Sequence, residues 1–373
     1  MEYTVRVLRS AIEIEAIRPI WEQWQDHPNT DLDHYLLVCR LRSHVEYPHV
    51  IVVYADNEPC AILASRLENS HISPSLGYFK PFKLPVRSLV VLNHGLLGRI
   101  NEAIADVILK TLRAEFRIAN LDIIELFYQP EDSPLLRLAL ARTTSAWRDA
   151  SAAIAVHWGL GIPTNVDGLV NKMTSMHRSA LRRYRRALEA AYPGPVHCRS
   201  YAAGDDLSLL CSELECIASS TYQRGLGAEF RNDQEHRERF ALFAQNGRLR
   251  VWVLYADHHP VAYDVGYVYG DTFHFSETGY DPRMHSYRVG TQLFLEMVND
   301  LTKEGVKNFD FGFGDAHYKQ RFGDREWKEG TLRLYAPTLK GFAAKNCTWI
   351  FDTATRIGRY IIQQLGLMDI PPR

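Results

Sequence analysis

The chain has 373 residues, with 43 Lys and Arg against 44 Asp and Glu for a net charge of −1, and is 46% hydrophobic and 23% charged. That is the composition of a folded protein long enough for two cores, and its charge balance excludes a general nucleic-acid or membrane-surface binder. With no apolar run of about 20 residues to cross a bilayer, an acidic start unlike a secretory signal, and 6 cysteines too scattered for a disulfide scaffold, the expected location is cytoplasmic.

The opening stretch, with Ile12, Ile17, Ile20, Trp21 and Trp24, carries helical spacing and ends before Pro28. A β-branched run, His49 to Ala55, meets the turn Asp56-Asn57-Glu58-Pro59 and a return strand, CAILASR. Ser88 to Leu92 reads as a third strand, Ile100 to Ile118 as a helix, and Asp122 to Tyr128 as a strand again. The second half repeats this order. Leu249 to Ala256 is a strand, Asp257-His258-His259-Pro260 a turn, Val261 to Tyr269 the return strand, and Thr272 to Tyr280 a third. After a loop, Asp281 to Arg288, helical spacing runs from Val289 through Leu301 to a C-cap at Gly305, and Val306 to Phe311 closes the unit as a strand.

The two Asp-x-x-Pro turns stand at matching points of matching strand pairs, which marks a structural duplication. Strands joined by tight turns are antiparallel, and strand–helix–strand requires a parallel pair. The expected class is therefore α/β: two tandem units, each a mixed, mostly antiparallel sheet flanked by helices. The Gly- and Pro-rich segment Gly159 to Leu169 separates an N-terminal domain, 1–160, from a C-terminal domain, 170–373.

Several chemistries are excluded by their missing signatures. There is no P-loop, no complete Gly-x-Gly-x-x-Gly and no Gly-x-Ser-x-Gly elbow. Cys211, Cys216 and His258-His259 lack metal-ligand spacing, so no metal is expected. The strongest local signal is SETGYDPRMHSYRVGTQLF, where a loop delivers Arg288-Val289-Gly290-Thr291 to a helix start. Free backbone N–H groups, the helix dipole and the added charge of Arg283, His285 and Arg288 suit a pyrophosphate such as that of coenzyme A. Next, NFDFGFGDAHYKQRFGDREW ends a strand in Gly312, Gly314 and Asp315 and presents Tyr318, Lys319 and Arg321 at the carboxyl edge of the parallel pair. In MHRSALRRYRRALEAA, an apolar stripe backs an arginine face. TYQRGLGAEF offers Arg224 before two glycines, which fits an anion-binding turn and equally a helix C-cap at Gly225.

Together these segments resemble the GNAT acyltransferase superfamily, specifically its CelD/BcsL-type branch associated with cellulose and exopolysaccharide biosynthesis. The likeness rests on HRSALRRYRRALE, TYQRGLGAEF, TGYDP followed by RVGTQL, and FDFGFGDAHYKQRFGD, with WEQWQDHPNTDLDHY and PHVIVVYADNEP extending it over nearly the whole chain. The tandem arrangement also resembles the FemABX peptidyltransferases, which add amino acids to cell-wall precursors. The resemblance implies a degenerate N-terminal unit, a C-terminal unit with the acyl-CoA site, and an association with polysaccharide synthesis machinery. The family's pyrophosphate loop is only partly matched by Arg288 to Thr291, which lacks the second glycine.

An amine that attacks a thioester must lose a proton, and the departing thiolate must be protonated or stabilised. Simple alternation puts His274 and Glu277 on opposite faces of their strand. Glu277, nearer its carboxyl end, is the expected base, with Tyr280 or Tyr318 donating to sulfur and splayed-strand N–H groups polarising the carbonyl. Arg224, Lys319 and Arg321 are the expected contacts for an anionic acceptor, a nucleotide sugar or acidic glycan, with Asp315 orienting one of them. The expected activity is acyl-CoA-dependent N-acylation of an amine on a sugar or glycan precursor. The alternatives are aminoacyl transfer from charged tRNA and a non-catalytic protein that binds a glycan or synthase partner.

Overall fold

The computed structural model describes residues 2–74, 81–165, 168–169, 173–221 and 230–364, without the side chains of 352 and 356–364. In chain order the elements are β1 (Tyr3–Leu8), α1 (Ala11–Glu15), α2 (Arg18–Trp24), α3 (Leu32–Leu41), β2 (Val45–Ala55), β3 (Glu58–Ile72), β4 (Leu84–Gly98), α4 (Glu102–Ile118), β5 (Ile123–Pro130), α5 (Pro134–Arg142) and β6 (Ala153–Gly161). There follow α6 (Ser175–Ala191), β7 (Val196–Tyr201), α7 (Leu207–Ala218), α8 (Gln234–Gln245), β8 (Leu249–Ala256), β9 (His259–Tyr269), β10 (Thr272–Tyr280), α9 (Val289–Lys303), β11 (Asn308–Phe313), α10 (His317–Phe322), β12 (Arg325–Tyr335) and α11 (Leu339–Gln364).

Two compact units result, both discontinuous in sequence. The first comprises Met1–Gln25, Arg42–Ile154 and Lys328–Arg373, the second Asp26–Leu41 and Ala155–Trp327. This differs from the contiguous division at 1–160 and 170–373. The reasons lie in long-range contacts: Asp31 binds Arg248 and Tyr269, and β12 pairs antiparallel with β5.

In the first unit the strand order is β1-β2-β3-β4-β5-β12, antiparallel except for the parallel pair β4–β5. Ile104, Ile108, Leu109 and Leu112 recur along one face of α4 and pack on Ile51, Leu63, Val91, Ile124 and Leu126. The second unit reads β6-β11-β10-β9-β8-β7, antiparallel except for β10–β11. One of its faces is covered by α9, whose Val289, Leu293, Met297 and Leu301 meet Phe273 and Phe309. The other is covered by α7 and α8 through Leu210, Leu214, Phe240 and Phe243. Each unit is thus a mixed sheet flanked by helices, as the class expected from the sequence requires. The repeated hairpin turns correspond in backbone too: Asp56 and Asn57 have φ of 50 and 72, Asp257 and His258 of 51 and 64. Paired positive φ values match a turn to the twist of a hairpin.

The expected opening helix is instead a strand and two short helices, with Pro19 starting the second. β6, β7 and β12 were also not foreseen.

Two departures from regular pairing shape the second unit. β10 and β11 pair only over Thr272–His274 and Asn308–Asp310, and beyond this the parallel strands part. Between β9 and β10 the register shifts, with Phe275 opposite Gly266 and Glu277 opposite Val265, which leaves Ser276 as a bulge. Gly266 is required there because a Cβ would lie 2.2 Å from the Phe273 ring and 2.5 Å from the His274 carbonyl. Gly266→Ala is expected to cost about 2 kcal/mol, read as a lower denaturant midpoint at unchanged slope.

Candidate active site

A cavity of about 540 Å³ opens in the second unit where β10 and β11 part. Phe275, Thr278 and Tyr280 of β10 line it, with Arg288–Thr291 at the start of α9. Leu181 and Tyr184 of α6 add apolar surface, and His317, Tyr318 and Arg321 of α10 face it as well.

The start of α9 leaves backbone donors turned toward the cavity. Arg288 occupies its N-cap position at φ 54 and ψ 40, a left-handed conformation, and its side chain does not cap the helix. Thr291 and Gln292 N–H groups bond the Arg288 carbonyl, whereas the Val289 and Gly290 amides make no hydrogen bond among the described residues. A Cβ on Gly290 would meet only the Tyr280 ring, at 3.9 Å, so the approach to these amides is open. The loop is held from behind by the Gln292 amide, which donates to the Tyr287 carbonyl at 2.7 Å, and by buried Met284. The left-handed Arg288 costs on the order of 1 kcal/mol. Its guanidinium is exposed and makes no ion pair among the described residues.

Of the residues expected from the sequence, the cavity gathers Tyr280, Arg288, Val289, Gly290, Thr291, Tyr318 and Arg321. Arg283 stands apart, its guanidinium paired with Asp281 at 2.6 Å and otherwise in solvent. Asp315 makes no bond to Lys319 among the described residues; it accepts from Trp158 Nε1 at 3.0 Å and Gln320 Nε2 at 2.7 Å. Lys319 is not an acceptor contact in this arrangement. It is buried, donates to the carbonyls of Gly312 and Phe313, and is pushed down to about 8 by burial. Arg224 lies outside the described residues.

The assignment of Glu277 requires correction. The bulge at Ser276 breaks the alternation, so His274 and Glu277 face the same side, opposite Tyr267 and Val265 and away from the cavity. There Glu277 is ion-paired with Arg239 of α8 and lies 3.8 Å from His236 Nε2. Thr278 takes the cavity-facing place instead.

Sequence reasoning missed Asp264. It stands directly opposite Thr278 in the ladder, lines the cavity, and is 3% exposed. Burial pushes its carboxyl up to about 7, the Thr278 hydroxyl offsetting part of the rise. The available signal was an acid in the middle of VAYDVGYVY, a strand whose other residues are almost all apolar.

On the sheet face opposite the cavity, His27, His274 and Asp310 stand within 4.8 Å of one another, the spacing of a cation site. Asn29 N–H bonds His27 Nδ1 at 3.0 Å, so the neutral ring carries its proton on Nε2 and directs a donor, not a lone pair, into this group. Asp310 also accepts from His157 Nε2 and from Gly312 N–H at 2.8 Å. Burial raises Asp310, but the bonds from His157 and His274 hold it far below the usual carboxylate range.

Comparison with known proteins agrees with this architecture. Residues 175–320 match the acetyltransferase (GNAT) domain family, a stretch that includes α6, β8–β11 and most of the residues lining the cavity. Among solved structures the chain resembles FemX, at TM-score 0.56 and 10% identity over 90% of this chain and 97% of that one. It also resembles a tandem GNAT protein of the clavulanic acid biosynthesis pathway, at TM-score 0.53 and 11% identity over 90% and 99% of the two chains. A third likeness, at TM-score 0.51 and 12% identity over 88% and 100%, is to a conserved protein of unknown function from Bacteroides thetaiotaomicron. No curated protein matches the chain. The fold is therefore the one these tandem structures share, and residues 175–320 of the second unit match the GNAT acetyltransferase family. Among the described residues no helix is long and apolar enough to cross a membrane.

The Glu277 correction is open to direct test. Glu277→Ala strands the Arg239 charge in the α8 interface and is expected to cost about 3 kcal/mol of stability. Equilibrium denaturation reads that loss, while affinity for the ligand of the cavity stays within twofold.

Proposed function

We propose that the second unit is an acyl-CoA-dependent N-acyltransferase acting on an amine of a sugar, nucleotide-sugar or glycan precursor. The observation that carries this reading is the start of α9, where two unbonded amides, the positive end of a 15-residue helix and an unpaired arginine converge on one cavity. A diphosphate is the ligand such a place selects. The 146-residue GNAT match, 175–320, makes acyl transfer the reaction class that fits.

In this reading the pyrophosphate rests on Val289, Gly290 and Thr291 with Arg288 beside it, and the thioester arm follows the free edge of β10 into the opening. Backbone N–H groups of β10 beyond His274, released from pairing with β11, face the thioester carbonyl and stabilise the oxyanion. The acceptor amine attacks the carbonyl carbon, the C–S bond breaks, and Tyr280 or Tyr318 protonates the departing sulfur. Exposed Arg321 holds an anionic group of the acceptor. The resemblance of the quoted segments to the CelD/BcsL-type branch supports an acceptor from polysaccharide or cell-envelope synthesis.

One observation favours a second reading, aminoacyl transfer from charged tRNA. Arg182, Arg183 and Arg186 are exposed on α6, the helix whose apolar face lines the cavity. An RNA backbone would cover such a stripe, although the net charge of −1 argues for the smaller donor.

Calorimetric titration with acetyl-CoA and CoA separates the two. The wild type is expected to bind both saturably. Arg288→Ala, Gly290→Glu, which removes the cation and sets a carboxylate at the open approach, is expected to weaken binding at least about tenfold. Absence of binding by the folded wild type, with binding of charged tRNA, transfers the assignment to the second reading.

A further inference from the structure

Asp264 is the one carboxylate among the residues lining the cavity, where it stands with Arg288, Arg321, His177, His285 and His317. Its strand is otherwise built to be buried: Ala262, Tyr263, Val265 and Gly266 around it are all fully covered. A buried acid in such a strand is ordinarily paired with an arginine or bound by backbone N–H groups. Asp264 makes no ion pair among the described residues, and the group placed to bond it is the hydroxyl of Thr278. Across β8 its ladder partner is Trp252, which offers it no charge. On β7 the nearby titratable group is Cys198, a half-buried thiol pushed up to about 12 and therefore neutral. The cavity is lined as well by Tyr280 of β10, Tyr184 of α6 and Tyr318 of α10.

An uncompensated carboxyl of this kind weakens the fold and is kept where a ligand completes it. The ligand that completes a buried carboxylate without an ion pair is a hydrogen-bonding cation, and the acyl-transfer reading, on which this inference rests, supplies one in the acceptor ammonium. We infer that Asp264 binds the acceptor amine within the cavity and takes its proton. Asp264 takes one proton from the ammonium, the freed lone pair forms the new C–N bond, the C–S bond breaks, a tyrosine proton goes to sulfur, and the second proton leaving nitrogen returns to that tyrosine as the amide forms. The acceptor is therefore a primary amine that arrives protonated, and Thr278 is a positioning residue that sets the acidity of the acid.

The sign of the pH dependence follows from the raised carboxyl, which burial places near 7. Above that value Asp264 is ionised and accepts the proton; below it the rate falls about tenfold per pH unit. Thr278→Val removes the hydroxyl that favours the ionised form, so the acid limb of the profile moves to higher pH.

The test uses the full chain, acetyl-CoA as donor, and glucosamine or water alone as acceptor, with thiol release followed from pH 5.5 to 9. Asp264→Asn is expected to lower turnover by about a hundredfold and to abolish the acid limb, with acetyl-CoA affinity kept within twofold. Infrared spectra of the wild type, with no turnover required, should show a carboxylic acid band that titrates between pH 6 and 8, shifts on acetyl-CoA binding, and is missing from Asp264→Asn. Failure of the wild type to bind acetyl-CoA overturns the donor reading and this inference with it. With binding intact, an Asp264→Asn protein of unchanged profile, or a wild-type spectrum without the titrating band, overturns the role of Asp264 alone.

Discussion

The second unit depends on the early parting of β10 and β11. Two parallel strands that diverge leave N–H and C=O groups without partners, a cost that must be met locally. On the β11 side it is met by side chains. Asp310 takes the Gly312 amide, Lys319 donates to the carbonyls of Gly312 and Phe313, and Gly312 and Gly314, at φ 68 and 92, turn the backbone away. His157 and His274 fix Asp310 in place as an anion. Among the described residues, no side chain bonds the β10 backbone beyond His274 on the side facing β11. The divergence therefore produces an asymmetric opening: one rim closed on itself, the other with backbone donors left for a ligand.

The charge distribution of the opening follows the same logic. Arg288 and Arg321 are exposed, where solvent tempers the cost of their charge, and Asp264 is buried in the same cavity, where the Thr278 hydroxyl offsets only part of it. Between them lie Phe275, Leu181 and Tyr184. A ligand with a phosphate at one end and a reactive group at the other would satisfy both ends while its arm covers the apolar middle. This polarity, and not the cavity's size, gives the site its direction. The bulge at Ser276 fixes the arrangement, because it brings Thr278 to the Asp264 side and sends Glu277 to Arg239.

Much of this was legible in the chain. The paired turns at Asp56 and Asp257 announce the duplication, and Thr272–Tyr280 and the start of α9 at Val289 coincide with their expected bounds, because short-range periodicity and turn chemistry determine them. The features that were not legible depend on pairing at long range. A bulge cannot be read from β10 alone, since it is defined by the residues of β9 opposite, and so alternation put Glu277 on the wrong face. Lys319 reads as a solvated cation until the carbonyls of a turned strand are seen beside it. Asp264 lay within a quoted strand, but its isolation among apolar residues carries meaning only once the strand is known to be covered on both faces. The allocation of β12 to the first unit and of Asp26–Leu41 to the second has no local signal at all.

The duplication explains why the ligand chemistry gathers in one unit. In the first, β4 and β5 also pair briefly, over Ser88–Val91 and Ile123–Leu126, before they part. There the gap is bridged: Gln129, 1% exposed, donates from Nε2 to the Leu92 carbonyl at 3.1 Å. The helix that follows β4 is closed as well. Asn101 caps α4 by accepting from the Ile104 amide at 2.9 Å, and Glu102 sets a negative charge in its first turn. The corresponding position in the second unit is Arg288, a cation in a strained backbone conformation that leaves its amides unbonded. A side chain that neutralises a helix start and one that holds it open are opposite solutions to the same four orphan donors. In the first unit the solution favours stability. In the second, Arg288 keeps a left-handed backbone and Asp264 stays buried with no ion pair among the described residues.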